Sequence, residues 1–401
     1  MGRFRDALAR PGLQAIAEVK RRSPSAGDLR PDADPAAIAA AYEGAGAAAV
    51  SILVDRRFAG TWDDLAAARE RTTLPLLAKG FFSTDEHLRQ ARESGADAIL
   101  LILRDIDDET TARMMAGAAG LGLDTFVEAH DGEELARAIA LGADPIGINA
   151  RDLSTFDIDR VRQLELVAQA RHATAGDDAR PLVVAESGIW SRAQGAAAEL
   201  AGADAMLVGS SLMRAPDPAA KLAELLSRPL VKVCGLTREE DVAAAHEAGA
   251  DLAGFVLAEG SPRRAAAPLA VPDTMLSVGV FVGEFEEVGT DLVQLHAPEE
   301  GAVRGREAVL LRQGAEVARV LDLPWLGEDD AHWADAAARA RSERVVLAGG
   351  LDAASVGQAI RTVRPWAVDT ARGTEAAPGI KDHEKVRAFV RAARAAEGAR
   401  G

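Results

Sequence analysis

The stretch PLVVAESGIWSRAQGAAAELAGADAMLVGSS (181–211) contains one complete cycle of the pattern that decides the fold. An apolar run, PLVVAESGI (181–189), gives way to an alanine-rich segment and is answered by a second apolar run, AMLVGSS (205–211). Two strand-length runs separated by enough residues for a helix read as a β–α–β unit with parallel strands. The same unit recurs back to the N-terminus. LQAIAEVK (13–20), AAAVSILVD (47–55), LPLLAKGF (74–81), ADAILLILR (96–104), DTFVEAH (124–130) and IGINARD (146–152) complete a set of eight. Segments between them, such as TDEHLRQARESG (84–95) and GEELARAIALG (132–142), carry apolar residues at helical spacing and end in glycine, the usual C-cap signal. Eight such repeats over roughly 200 residues predict a (β/α)8 barrel.

The rhythm resumes after LLSRPL (225–230). VKVCGLT (231–237), DLAGFVLAEGS (251–261), LSVGVFVGE (276–284) and LVQLHA (292–297) are followed by AVLLRQG (308–314), ARVLDLPW (318–325), RVVLAGGL (344–351) and WAVDTARG (366–373). The predicted fold class is therefore α/β, two consecutive (β/α)8 TIM barrels, with domains at 1–227 and 228–401. One connection does not fit. Only about four residues separate the fifth and sixth strand candidates of the second set. A parallel crossover needs a dozen or more, so either a loop replaces a helix here or one strand is misread.

Composition bounds the rest. A chain of 401 residues exceeds one ordinary core, in keeping with two domains. No window approaches the ~18 uninterrupted apolar residues of a membrane span, and MGRFRDALAR (1–10) has no apolar segment of a secretory signal. A single cysteine forms no internal disulfide, which fits a reducing cytoplasm. The net charge of −16 argues against nonspecific nucleic-acid or anionic-membrane binding. The seven histidines show no metal-ligand spacing, and no dinucleotide or P-loop glycine pattern occurs. The expected partners are small molecules, acted on by a monomer with neither metal nor cofactor.

In a (β/α)8 barrel, chemistry sits at the C-terminal ends of the strands. The first set delivers Glu18 and Lys20, Lys79, Glu128, Asn149 and Arg151, Glu186 and Ser187, then Gly209 and Ser210 to those ends. Any one Lys or Glu alone reads more readily as a solvated loop residue. Two lysines and three carboxylates from four strands form a mixed cluster suited to acid–base work, because each neighbour shifts the others' proton affinity. The last two strands end in AESGI and LVGSS, where glycine lets backbone N–H groups approach an anion at a helix start. The second set ends alike, in LAGGL (347–351) and DTARGTEAAPG (369–379), so both barrels are expected to hold a phosphate. Its other strand ends carry Cys234, Arg263, Gln294 with His296, and Asp322. A thiol facing a carboxylate is a plausible base–acid pair, and His296 reads as a hydrogen-bonded structural residue.

AEVKRRSPSAG (17–27), FVEAH (126–130), GINARDL (147–153), VAESGI (184–189) and LVGSSLM (207–213) resemble the indole-3-glycerol-phosphate synthases. VKVCGLT, GFVLAEGSPR (254–263), VGVFV (278–282), VQLH (293–296), LAGGL and GTEAAPGIKD (373–382) resemble the phosphoribosylanthranilate isomerases. The order is that of the bifunctional enzymes of tryptophan biosynthesis. The resemblance implies an Amadori rearrangement in the second barrel and indole ring closure, with loss of CO2 and water, in the first. It implies Lys79 as general acid, Glu128 as general base and Lys20 as the holder of the substrate carboxylate. Glu18, Asn149 and Glu186 would orient these groups, and Arg151 and Ser187 would line the pocket. Ser23, Gly188, Gly209 and Ser210 would cradle phosphate. In the second barrel it implies Cys234 as base, Asp322 as acid, Arg263 on the anthranilate carboxylate and Gln294 at the substrate. Gly349, Gly350, Arg372 and Gly373 would hold phosphate there. Three segments depart from the family pattern: VLDLPWLGEDDAHW (320–333) lacks the glycine-rich loop usual after the general-acid strand, its residues 323–329 lying outside those the structure describes, and two further positions differ. AKGFF (78–82) has Gly80 where an aspartate is usual, and Ala371, Arg372 and Gly373 stand in place of Ser-Ser-Gly. The alternative reading is a synthase whose second barrel no longer catalyses and only binds phosphate.

Overall fold

The computed structural model describes residues 2–24, 27–151, 157–174, 176, 180–298, 307–322 and 330–397. It divides into two compact units, residues 1–190 with 195–226 and residues 191–194 with 227–401. None of the described helices is long and apolar enough to cross a membrane.

The first unit is a closed barrel of eight parallel strands. They are β1 (Gln14–Val19), β2 (Ala49–Leu53), β3 (Leu76–Lys79), β4 (Ala98–Ile102), β5 (Asp124–Ala129), β6 (Ile146–Asn149), β7 (Val183–Glu186) and β8 (Ala205–Val208). β8 pairs with β1, Gln14 opposite Ala205, and closes the ring. These strands are buried on both faces, which is why they read as continuous apolar runs rather than alternating ones. All eight sequence-predicted positions hold strands. The helices between them are started by side-chain caps. Asp131, for example, accepts from the backbone N–H groups of Glu133 and Glu134 at 2.9 Å each, opening the helix Gly132–Ala140.

The second unit is also a closed eight-stranded barrel, but a mixed one. Its strands are β9 (Leu230–Cys234), β10 (Leu252–Val256), β11 (Leu276–Val282), β12 (Leu292–His296), β13 (Glu307–Arg312), β14 (Ala315–Asp322), β15 (Val345–Ala348) and β16 (Ala367–Thr370). β13 runs antiparallel to both β12 and β14. The short connection expected to be a defect is a two-residue hairpin, Gln313–Gly314, with φ of 49° and 79°. Two successive left-handed residues match the twist of a tight β-hairpin. Both strand positions stand, and the direction of the fifth is corrected. The strict strand–helix alternation is corrected too. Residues 257–275 and 283–291 connect strands without a helix. The first carries Pro262, Pro268 and Pro272, which interrupt helical hydrogen bonding, and the second is nine residues long with glycines at 283 and 289, both at positive φ. Reversing β13 leaves β14 running in the same direction as β15, so Asp322 still arrives at the strand end where a barrel site forms.

Candidate active sites

In the first barrel the strand ends converge on a cavity of about 140 Å³. Its lining includes Glu18, Lys20, Lys79, Glu128, Asn149 and Arg151, together with Ser23, Ser187, Gly188, Gly209 and Ser210. Phe58, Phe81, Ile158 and Trp190 add apolar wall. At the centre, the Lys79 ammonium donates to Glu186 Oε2 at 2.6 Å and lies 3.6 Å from both Glu18 Oε2 and Glu128 Oε2. Lys20 Nζ donates to Glu18 Oε1 at 2.5 Å. Burial disfavours the charge on Lys79, but Glu186, Glu18 and Glu128 outweigh it and raise its proton affinity. Burial and the facing charge of Glu128 push Glu186 well above the usual carboxylate range, against the pull of Lys79. Glu128, equally buried, is held low by Lys79 and by His130. Neighbouring carboxylates in one pocket are thus driven apart in proton affinity.

Glu186 differs from the other predicted residues in lying beneath Lys79 rather than on the cavity wall, fully buried. A Cβ at Gly147 would fall 2.1 Å from Glu186 Oε1, so that glycine makes the room. Gly209 has a related role. Its φ of −129° asks nothing of glycine, but a Cβ there would meet Glu18 Oε1 at 2.2 Å. Ser187 and Gly188 have φ of 68° and 72°, two successive left-handed residues that turn the chain at the end of β7, and both line the cavity. Gly80, at the departure from the family pattern, lets the Phe82 ring fold back over the backbone; a Cβ would stand 2.7 Å from its Cζ.

Sequence reasoning left His130 without a role. Its Nε2 lies 3.2 Å from Glu128 Oε1 and its Nδ1 3.0 Å from Glu134 Oε2, the carboxylate that the Asp131 cap brings into place. Arg104 Nε meets the other Glu134 oxygen at 3.2 Å. Burial opposes the imidazolium, but these two carboxylates raise His130 to about 9. The period-two spacing of Glu128, at the end of β5, and His130, just beyond it, was the available signal.

In the second barrel, Cys234 ends β9, buried, and Asp322 ends β14. Arg263, from the connection after β10, donates to Glu375 from Nε at 2.8 Å and Nη2 at 2.7 Å. Gln294 sits inside the barrel, its Oε1 accepting from Lys232 at 2.8 Å and its Nε2 2.8 Å from His296 Nε2. His296 is fully buried in this network, as its reading as a structural residue expected. Lys232 also donates to Asp369 Oδ2 at 2.8 Å. Gly349 and Gly350 have φ of 112° and 83°, and Arg372 Nη2 would lie 3.9 Å from a Cβ at Gly350. Gly373 packs on this segment, a Cβ there falling 2.1 Å from Leu351 O. Glu375, Lys232 and Asp369 escaped sequence reasoning, the last two because they lie within apolar runs.

The family model of indole-3-glycerol phosphate synthase matches residues 2–225. The chain belongs to the indole-3-glycerol phosphate synthase family. The model of N-(5'phosphoribosyl)anthranilate isomerase matches residues 330–392 in the same chain. With both domains present, this is a bifunctional enzyme of tryptophan biosynthesis. The synthase of Mycobacterium ulcerans is 43% identical over 222 residues, covering 55% of this chain and 79% of that protein. Indole-3-glycerol phosphate synthase 2 of Streptomyces coelicolor is 44% identical over 216 residues, 54% of this chain and 81% of that one. Among solved structures, the phosphoribosyl anthranilate isomerase of Thermus thermophilus is 32% identical, covering 41% of this chain and 98% of its own, with a TM-score of 0.34. In the synthase barrel, the cluster predicted from strand ends therefore surrounds one cavity. In the isomerase barrel, Cys234 and Asp322 stand at the ends of the first and sixth strands.

Proposed function

We propose the following division of labour, which rests above all on one observation, the Lys79 ammonium enclosed by Glu186, Glu18 and Glu128 at the cavity floor. In the isomerase barrel Asp322 protonates the ribose ring oxygen of N-(5-phosphoribosyl)anthranilate, and the ring opens to an iminium. Cys234, as thiolate, takes the C2 proton; the electron pair forms an enolamine, which ketonises to 1-(2-carboxyphenylamino)-1-deoxyribulose 5-phosphate. Arg263 exchanges Glu375 for the anthranilate carboxylate. Gln294 borders the substrate, and Gly349, Gly350, Arg372 and Gly373 hold its phosphate.

In the synthase barrel that product binds with its carboxylate on Lys20 and its phosphate against Ser23, Gly188, Gly209 and Ser210. The ring carbon bearing the carboxylate attacks the ketone carbon while Lys79 gives a proton to the ketone oxygen. CO2 departs, returning its bonding pair to the ring. The new hydroxyl leaves as water while Glu128 takes a proton from the adjacent methylene. Glu18 and Asn149 orient the lysines and the substrate, and Arg151 and Ser187 line the pocket. Glu186, the carboxylate readiest to hold a proton, reloads Lys79. The protein acts as a cytoplasmic monomer, with its domain boundary between residues 227 and 228.

General acid–base groups contribute roughly 10²–10⁴-fold in rate. Lys79→Met is therefore expected to lose ring closure by at least ~10²-fold while isomerisation persists, and Cys234→Ser to do the reverse. Assays of each step on its own substrate check this. Isomerisation by Cys234→Ser at the wild-type rate would refute the role of the thiol.

A further inference from the structure

Lys232 takes no part in the scheme above, yet it is a buried cation next to the proposed base. Residues two apart on a strand face the same side, so Lys232 and Cys234 project together into the barrel. A Cβ on Gly254, which lies opposite Cys234 on the neighbouring strand, would stand 2.8 Å from Cys234 Sγ and 3.0 Å from Lys232 Cε. Sulfur and lysine stem thus converge over one glycine. The ammonium is fixed from two further strands, by Gln294 Oε1 on β12 and Asp369 Oδ2 on β16, each at 2.8 Å. An ammonium has three N–H donors. Two are committed, and the third remains for the side on which the thiol lies. The other Asp369 oxygen is buried and makes no hydrogen bond among the described residues.

We propose that Lys232 is the positioning residue that makes Cys234 a usable base: its pinned ammonium supplies the charge against which the thiolate forms. The inference rests on the reading of Cys234 as the isomerase base. The surrounding charges define its sign. Burial pushes the thiol up; Lys232 draws it down, Asp369 pushes it up, and Lys381, from the short strand Ile380–Lys381, draws it down. Arg263, whose Cδ would touch a Cβ on Gly235 at 3.1 Å, is neutralised by Glu375. His296 faces Gln294, and Asp322 ends β14 on the same rim. Lys232 keeps its own proton throughout, because Asp369 and Gln294 hold the ammonium form. The proton from the substrate goes to sulfur and leaves from sulfur.

The chain has one cysteine, so a thiol titration of the intact protein reports Cys234 alone. Thiolate absorbance at 240 nm, taken as the difference from Cys234→Ser, gives the midpoint. Lys232→Met is expected to raise that midpoint by a full pH unit or more, to move the acid limb of the isomerase kcat/KM profile by the same amount, and to cut kcat/KM at neutrality at least tenfold. Asp369→Asn is expected to lower the midpoint, since it removes the negative charge beside the sulfur. A merely structural role would move both variants in one direction or neither. An unchanged or lowered midpoint in folded Lys232→Met, checked by circular dichroism, overturns the proposal. If that variant does not fold, a raised or unchanged midpoint in Asp369→Asn overturns it. Should Cys234→Ser retain isomerisation while both midpoints shift as stated, the base assignment falls and the electrostatic role of Lys232 stands.

Discussion

At the level of single residues, the synthase site is an arrangement of charges that are affordable only together. Glu18, Glu128 and Glu186 are buried around the ammonium they share. Removing one partner of a buried ion cluster typically costs about 3–5 kcal/mol, so Lys79→Met is expected to be markedly less stable. It also acquires a new pH dependence. Without the ammonium, the three carboxylates bind protons more tightly folded than unfolded. A group whose folded pKa is raised contributes stability at low pH and loses it as pH rises through the folded value. The variant should therefore be more stable at pH 5 than at pH 8 by urea denaturation, and a pH trend equal to the wild type would refute this. His130 gives the same sign in the native protein. Its folded value of about 9 exceeds the ordinary ~6.5 of histidine. Its contribution is complete below ~6.5 and is lost as pH climbs through about 9. The stability gap between the wild type and His130→Asn should narrow between pH 6 and pH 10 in the same measurement; a constant gap would argue against a charged His130.

The elements show why the barrels were legible in sequence and where legibility stopped. A strand buried on both faces announces itself as an apolar run, and each of the sixteen runs quoted from the sequence contains a strand. An apolar run reads the same in either direction, however, so the reversal of β13 left no trace within the strand itself. Only the length of the connection to β14 betrayed it, and length alone did not separate a reversed strand from a misread one. The deciding information is conformational: Gln313 and Gly314 both adopt positive φ. Gly314→Ala is accordingly expected to cost roughly 1 kcal/mol, the penalty for a side chain in left-handed backbone. Gln313→Asn should be neutral or stabilising by a few tenths of a kcal/mol, since asparagine tolerates that region better. Calorimetric midpoints of the two variants test this, and a Gly314→Ala protein as stable as wild type would mean that the turn is not the one described.

Across the whole molecule, the gathering of polar side chains in the synthase barrel was readable because barrel topology brings strand ends to one face, whatever the loops do. Residues placed elsewhere were not. Lys232 lies inside a strand, Glu134 in the first turn of a helix, and Glu375 beyond the last barrel strand. Net charge poses a further question, since a protein at −16 must collect doubly anionic phosphate esters against its own field. Capture has to be local, and Arg372 over the Gly349–Gly350 turn is where this chain departs from a cradle of small residues. Arg372 has no side-chain partner among the described residues to compete with a ligand. A side-chain guanidinium binds phosphate strongly but through charge, and so is weakened by salt. Arg372→Ala is expected to raise the isomerase KM about tenfold with kcat changed less than twofold, and to flatten the rise of that KM with added sodium chloride. Ring closure, for which a different cradle is proposed, should keep its KM. Steady-state kinetics of both steps at low and high salt read all of these at once. A variant with wild-type KM and wild-type salt dependence would return phosphate binding in the second barrel to the backbone of the diglycine turn alone.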